Sequence, residues 1–197
     1  HPEAEYAKVK VKEETWLLAK NRVEAVMQEL GLKEYKVTET VSGKELEGTR
    51  YEYPFLDMVQ KQRELDKMPK VHTVVCEEFV DITTATGVVH LAPGNGEDDF
   101  LAAQKRNIPV YVPFDEECKF TEEAGEFAGL FARDADKKVV EEMQKRNLLV
   151  SVKTVRHEYP TCWRSHHKLI WLARKEYFLW TNKINDKVVE AAEKVEY

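Results

Sequence analysis

The side chains best suited to chemistry gather in TTATGVVHLAPGNGEDDF, residues 83–100. Alternation along VVHLA predicts a strand with Val88, His90 and Ala92 on one face and Val89 and Leu91 on the other. The imidazole of His90 then lies among small apolar groups, as in the lining of a narrow pocket. Pro93-Gly94-Asn95-Gly96 predicts a tight turn, and Glu97, Asp98 and Asp99 fall in the first turn of the helix that follows. Strand, turn and helix start bring carboxylates close to the strand end bearing His90. Such carboxylates also complement the helix dipole, by roughly 0.3–1 kcal/mol each, and a strand histidine is commonly a hydrogen-bonded structural residue. Phosphate binding is excluded, because GxxxxGK and GxGxxG are absent and three carboxylates at a helix start repel anions.

A second group, His157, Cys162, His166 and His167, has the donor types of a zinc site. No CxxC pair accompanies it and its spacing fits no standard structural pattern, so no metal ligand is assigned. Cys76 and Cys118 have no evident histidine partner, which disfavours a cysteine nucleophile. Trp163, Trp171, Tyr177, Phe178 and Trp180 interleave with Arg164, Lys168, Arg174 and Lys175. They could touch nucleic acid, although core packing with basic stems laid over it is the preferred expectation.

The elements that must position these groups follow from periodicity. Residues 6–12 and 15–20 predict a hairpin, and Asn21 is the expected cap of a helix closed by Gly31. Residues 35–41, 71–82, 86–93, 108–114 and 148–155 read as strands. Residues 61–70 read as a solvated excursion, and 168–180 as mixed strand and loop. Helices are expected over 97–106, 134–147 and 182–195. Strands and helices mix without strict βαβ alternation. The expected class is therefore α+β: a mixed, partly barrel-like β-sheet core with peripheral helices, in one domain over 1–197.

Composition narrows the function classes. The 197 residues suffice for one sizeable domain, with 43% hydrophobic and 34% charged positions. A net charge of −6 disfavours a strongly basic nucleic-acid module. Three widely spaced cysteines argue for a reducing, intracellular setting, and no apolar run approaches a membrane span. A first residue of His rather than Met suggests a piece of a longer protein.

TGVVHLAPGNGEDDF closely resembles the hallmark of the connective-peptide editing domain of isoleucyl-tRNA synthetases. The resemblance continues through GKELEGTRYEYPF, residues 114–149 and HEYPTCWRSHHKLIW, in the family's order. The VHLAP form with GEDDF points to the isoleucine enzyme rather than its valyl and leucyl relatives. The resemblance implies a cytoplasmic module, acting in cis with the rest of a synthetase, that hydrolyses valine wrongly joined to isoleucine tRNA, with valyl-adenylate as a further substrate. One methylene supplies only about 1–3 kcal/mol of discrimination, and the isoleucine–valine pair in this family is the standard case, so a second, smaller pocket is needed.

By the same resemblance, Asp99 anchors the substrate ammonium and His90 bounds the side-chain space and positions the ester. Ala92, Pro93 and Thr86 contribute to the substrate pocket, and no metal or organic cofactor is implied. The expected partner is the charged 3′ end of tRNA. The alternative is a non-catalytic tRNA-positioning module. Two departures stand out. The family's threonine-rich WTTTPWT segment is not in this sequence, and Thr83-Thr84 belongs to a different strand, so weak activity is expected of the isolated chain. CWRS at 162–165 replaces the CWRC common in the family.

Overall fold

A computed structural model describes residues 1–156 and 158–195. Alternation in the first forty residues forms β1 (Glu5–Val11), β2 (Glu14–Ala19) and β3 (Lys36–Ser42), an antiparallel sheet with order β2-β1-β3. β1 is central and both neighbours are edges. The hairpin closes through Lys12 and Glu13, with Lys12 in the left-handed region, and a bulge at Lys8/Val9 shifts the register against β3. Period 2 sends Ala7, Val9 and Val11 to one face of the sheet. There they meet Val23, Val26 and Met27 of helix α1 (Val23–Glu29). Tyr6, with Ala4 and Ala19, packs on the other face under Leu46 and Ile82. Asn21 does not cap α1: it sits inside a 3-10 turn, Lys20–Arg22, whose start has no side-chain cap.

A second core lies outside the sheet. Phe55, Val59, Ala124 and Phe127 are buried together, and Val139 and Met143 of α5 (Ala135–Lys145) pack against them. Arg146 locks this unit, donating to both carboxylate oxygens of Asp57 at 2.8 Å and to the Pro54 carbonyl at 3.0 Å. Between the cores run α2 (Gly43–Leu46), opened by a Ser42/Glu45 capping box, and α3 (Gln60–Leu65). Helix α3 corrects the expectation of a solvated excursion over 61–70. Its buried approach residue Val59 and the bonds it sends to His72 hold a polar segment that has no apolar stripe of its own.

Helix α4 (Glu97–Arg106) has the bounds expected from the sequence, with three acids in its first turn and Lys105 and Arg106 in its last. Ala102 and Ala103 are its buried face. Asn107 ends it in the left-handed conformation. Arg106 then ties its end to Glu77 at 2.7 Å, and also to Glu47 and the Cys76 carbonyl. Helix α6 (Asn185–Glu193) lies near the end of the described chain.

Residues 71–82, 86–93, 108–114 and 148–155, expected as strands, run as extended or turning chain without ladders. Among the described residues their cross-chain pairings are isolated bridges such as Arg50↔Thr73 and Phe114↔Phe120. The expected partly barrel-like core is therefore corrected to a small open sheet. Alternation sets which side chains face inward, but closure needs continuous partners, and prolines at 93, 109 and 113 remove donors where ladders would form. Val88 and Val89 are both about half exposed, so VVHLA lacks the expected inward and outward faces. Among the described residues, no helix is long and apolar enough to cross a membrane.

Candidate active site

The turn between His90 and α4 is built by its neighbours. Asn95 N–H closes it on the Ala92 carbonyl at 2.8 Å, Asn95 Nδ2 donates to the Trp171 carbonyl at 3.0 Å, and Ala173 N–H donates to the Gly94 carbonyl at 2.8 Å. On the other side the chain at Tyr111 passes so close that a β-carbon on Gly94 would stand 2.1 Å from the Tyr111 carbonyl oxygen. Only glycine fits there, which makes Gly94 a packing requirement as well as a turn residue.

Asp99, in the third position of α4, folds back over this turn. Its Oδ2 accepts the Ala92 N–H at 3.1 Å. Asp98, one residue earlier, is exposed on the helix surface. Gly96, the residue before α4, makes room for the returning carboxylate: a β-carbon there would meet Asp99 Oδ2 at 2.7 Å. Among the described residues no cationic side chain lies within ion-pair distance of Asp99. Its charge is thus fixed in position but not neutralised, as an anchor for a ligand ammonium requires.

Asp99, His90, Ala92 and Pro93 line one cavity of about 890 Å³. This is near the top of the range for sites that hold drug-sized ligands, and well beyond the needs of one amino-acid side chain. The walls are mostly apolar. His90 is exposed and makes no hydrogen bond with the described protein. Thr86 is not part of the wall. Its hydroxyl turns back on Val88, donating to the carbonyl at 3.2 Å, while its own carbonyl accepts the Ala19 N–H at 2.8 Å.

Sequence reasoning missed a group of residues that also lines this cavity. His72 is buried, 2.7 Å from Asp66 through Nδ1 and 3.1 Å from Gln62 through Nε2. Its ring stacks on Tyr53 with centroids 5.0 Å apart and meets Tyr51 at 5.7 Å. The His72 contact, helped by Arg50, holds the Asp66 carboxyl below its ordinary value. Burial pushes the Tyr51 and Tyr53 phenols up, and it carries Tyr111 furthest, to about 12. The two-residue spacing of Tyr51 and Tyr53 in YEYPF was the only available hint, and it did not identify His72 as the partner.

The remaining candidates are dispersed. Among the described residues, no three His, Cys, Asp or Glu side chains group as a metal site. Of the zinc-like group, His157 lies outside the described residues. Cys162 is in a tight turn with His166 and His167, and hydrogen bonds from Ser165 and from the Arg164 backbone lower its thiol pKa. The aromatic–basic segment is not core, contrary to expectation. Trp163 and Phe178 are about 80% exposed and Tyr177 is fully exposed. Among the described residues no facing surface buries its alternation.

No family model matches the chain. Aligned over its whole length, the chain is 38% identical to an isoleucine–tRNA ligase of Methanocaldococcus jannaschii and 36% identical to that of Thermotoga petrophila. Over 96% of its length it is 40% identical to the isoleucine–tRNA ligase of Pyrococcus abyssi. The chain spans about a fifth of the length of these relatives: 20%, 21% and 18% respectively.

Proposed function

We propose that this chain is the editing part of an isoleucine–tRNA ligase, an aminoacyl ester hydrolase that clears valine from isoleucine tRNA and, as a second substrate, valyl-adenylate. The observation that carries the reading is Asp99: an un-neutralised carboxylate, steadied by the Ala92 N–H, on the wall of a large apolar cavity shared with His90. Similarity over 96% or more of the chain to isoleucine–tRNA ligases of three organisms supports the isoleucine enzyme over its valyl and leucyl relatives.

In this reading Asp99 binds the α-ammonium of the misattached valine through charge-assisted hydrogen bonds. His90, exposed on the same wall, limits the side chain admitted and orients the ester. A water oxygen attacks the carbonyl carbon, the bond to the ribose oxygen breaks, and the water proton ends on that oxygen. Valine and tRNA with a free hydroxyl leave. No metal or organic cofactor enters the step. The partners are the 3′ end of the charged tRNA and the rest of the synthetase in cis, in the cytoplasm.

The test is deacylation of valyl-tRNA(Ile) by the full-length ligase carrying Asp99→Ala. Valyl-tRNA should accumulate, and unchanged deacylation refutes the assigned role. His90→Ala should open the size limit and expose isoleucyl-tRNA to hydrolysis; unaltered selectivity counts against the sieve. The exposed aromatic–basic segment favours a second reading, a non-catalytic tRNA-positioning module. In that case Asp99→Ala would change tRNA binding and leave hydrolysis intact.

A further inference from the structure

Pro93-Gly94-Asn95-Gly96, the turn that carries the chain from Ala92 to α4, has one side chain able to hydrogen-bond, that of Asn95. Asn95 is half-buried, and its Nδ2 donates across 76 positions to the Trp171 carbonyl at 3.0 Å. One residue back, the Gly94 carbonyl accepts the Ala173 N–H at 2.8 Å, so two bonds fasten the turn to residues 171–173. On its other side Gly94 packs on the Tyr111 carbonyl and on Val112, with no room for a β-carbon. The turn is thus gripped between two segments distant in the chain. That placement then passes inward. Asn95 N–H holds the Ala92 carbonyl at 2.8 Å, and the Ala92 N–H holds Asp99 Oδ2 at 3.1 Å. Residues 171–173 do not themselves line the cavity, so their influence on the site runs through this turn.

We propose that Asn95 is a positioning residue, whose amide sets the turn against the Trp171 carbonyl and, through Ala92, fixes where the Asp99 carboxylate stands. This rests on the editing reading, in which Asp99 takes the substrate ammonium. A charge-assisted hydrogen bond depends on distance and direction, so a carboxylate that wanders with its turn holds an ammonium less well. The amide suits the task because it donates to a carbonyl without placing a second charge beside Asp99. Asn95 also lines the cavity. A direct contact of its own with substrate would add to that of Asp99, whereas an action through Asp99 vanishes with it.

The test is a double-mutant cycle in the full-length ligase. It is read by deacylation of valyl-tRNA(Ile) and by calorimetric affinity for a hydrolysis-resistant probe, the amide of valine with 3′-amino-3′-deoxyadenosine. Asn95→Ala should lower kcat/KM and probe affinity about three- to tenfold, the worth of one neutral hydrogen bond. Asn95→Gln, which keeps the donor, should retain most of both. In an Asp99→Asn background Asn95→Ala should cost nothing further. The same fold-loss in that background would make Asn95 act independently of Asp99 and overturn the inference. A lowered melting temperature with unchanged kcat/KM and probe affinity would make Asn95 structural and overturn it too, as would equal losses in the alanine and glutamine variants. If Asp99→Asn slows deacylation while Asn95→Ala does not, this inference fails and the editing reading stands. If Asp99→Asn leaves deacylation unchanged, the editing reading fails and takes this inference with it.

Discussion

Gly96→Ala is the sharpest probe of the candidate site, because it displaces the key carboxylate without removing it. Gly96 has φ −146°, an extended backbone that alanine adopts freely, so backbone strain contributes nothing. The added β-carbon would lie 2.7 Å from Asp99 Oδ2, closer than real contacts allow, and a tight 3.1 Å from its Cγ. The carboxylate must swing out and release the Ala92 N–H. A hydrogen bond to a charged group contributes roughly 1.5–3 kcal/mol when shielded. Asp99 is half-buried and water can replace part of the bond, so about 1 kcal/mol of stability should be lost.

The ligand pays the larger penalty. Loss of the ammonium contact, again about 1.5–3 kcal/mol, corresponds to roughly 10- to 150-fold weaker binding. Asp99→Asn keeps an acceptor for Ala92 and should lose similar affinity with stability within about 0.5 kcal/mol. Calorimetric titration of the valyl-aminoadenosine amide, with thermal unfolding of the same samples, reads both quantities. The double variant should be no worse than either single one, since both remove one interaction. Wild-type affinity and melting temperature in Gly96→Ala would show that the carboxylate position is irrelevant to binding, and would refute the reasoning.

Two further outcomes test the scaffold. Met27 is 1% exposed between α1 and the sheet, so Met27→Ala should cost about 2–5 kcal/mol in urea unfolding; a cost below about 1 kcal/mol would mean the two do not share a core. Bonding to Arg146 depresses the Asp57 carboxyl below its ordinary 3.8, and His72 does the same for Asp66. A depressed folded pKa adds stability that is present above 3.8 and lost as pH falls through the folded values. Melting temperature should therefore drop most steeply below pH 4, and Asp57→Asn should flatten that slope; an unchanged slope would remove the Arg146 clamp from the account.

Part of the local structure was legible in the sequence. Alternation marked β1, β2 and β3, and helical spacing with acids first and bases last marked α4 to within its observed bounds. The return of Asp99 to the end of the 88–92 segment was legible for the same reason: a four-residue turn joins that segment to α4, and the Asp99 carboxylate accepts the Ala92 N–H. Wherever the answer depended on a distant partner, the sequence was silent. Alternation in residues 71–82 or 86–93 states a preference for extended backbone, but a ladder requires a second segment at matching register, and here only isolated bridges form. Polar residues 60–65 become a helix because His72 and the second core engage them, contacts that no local pattern encodes. Tyr51, Tyr53, His72 and Tyr111, as many as 60 positions apart, line one hollow only after the chain has closed around it, so the amino-acid order determined the turn that carries Asp99 and the tertiary structure decided the rest of the wall.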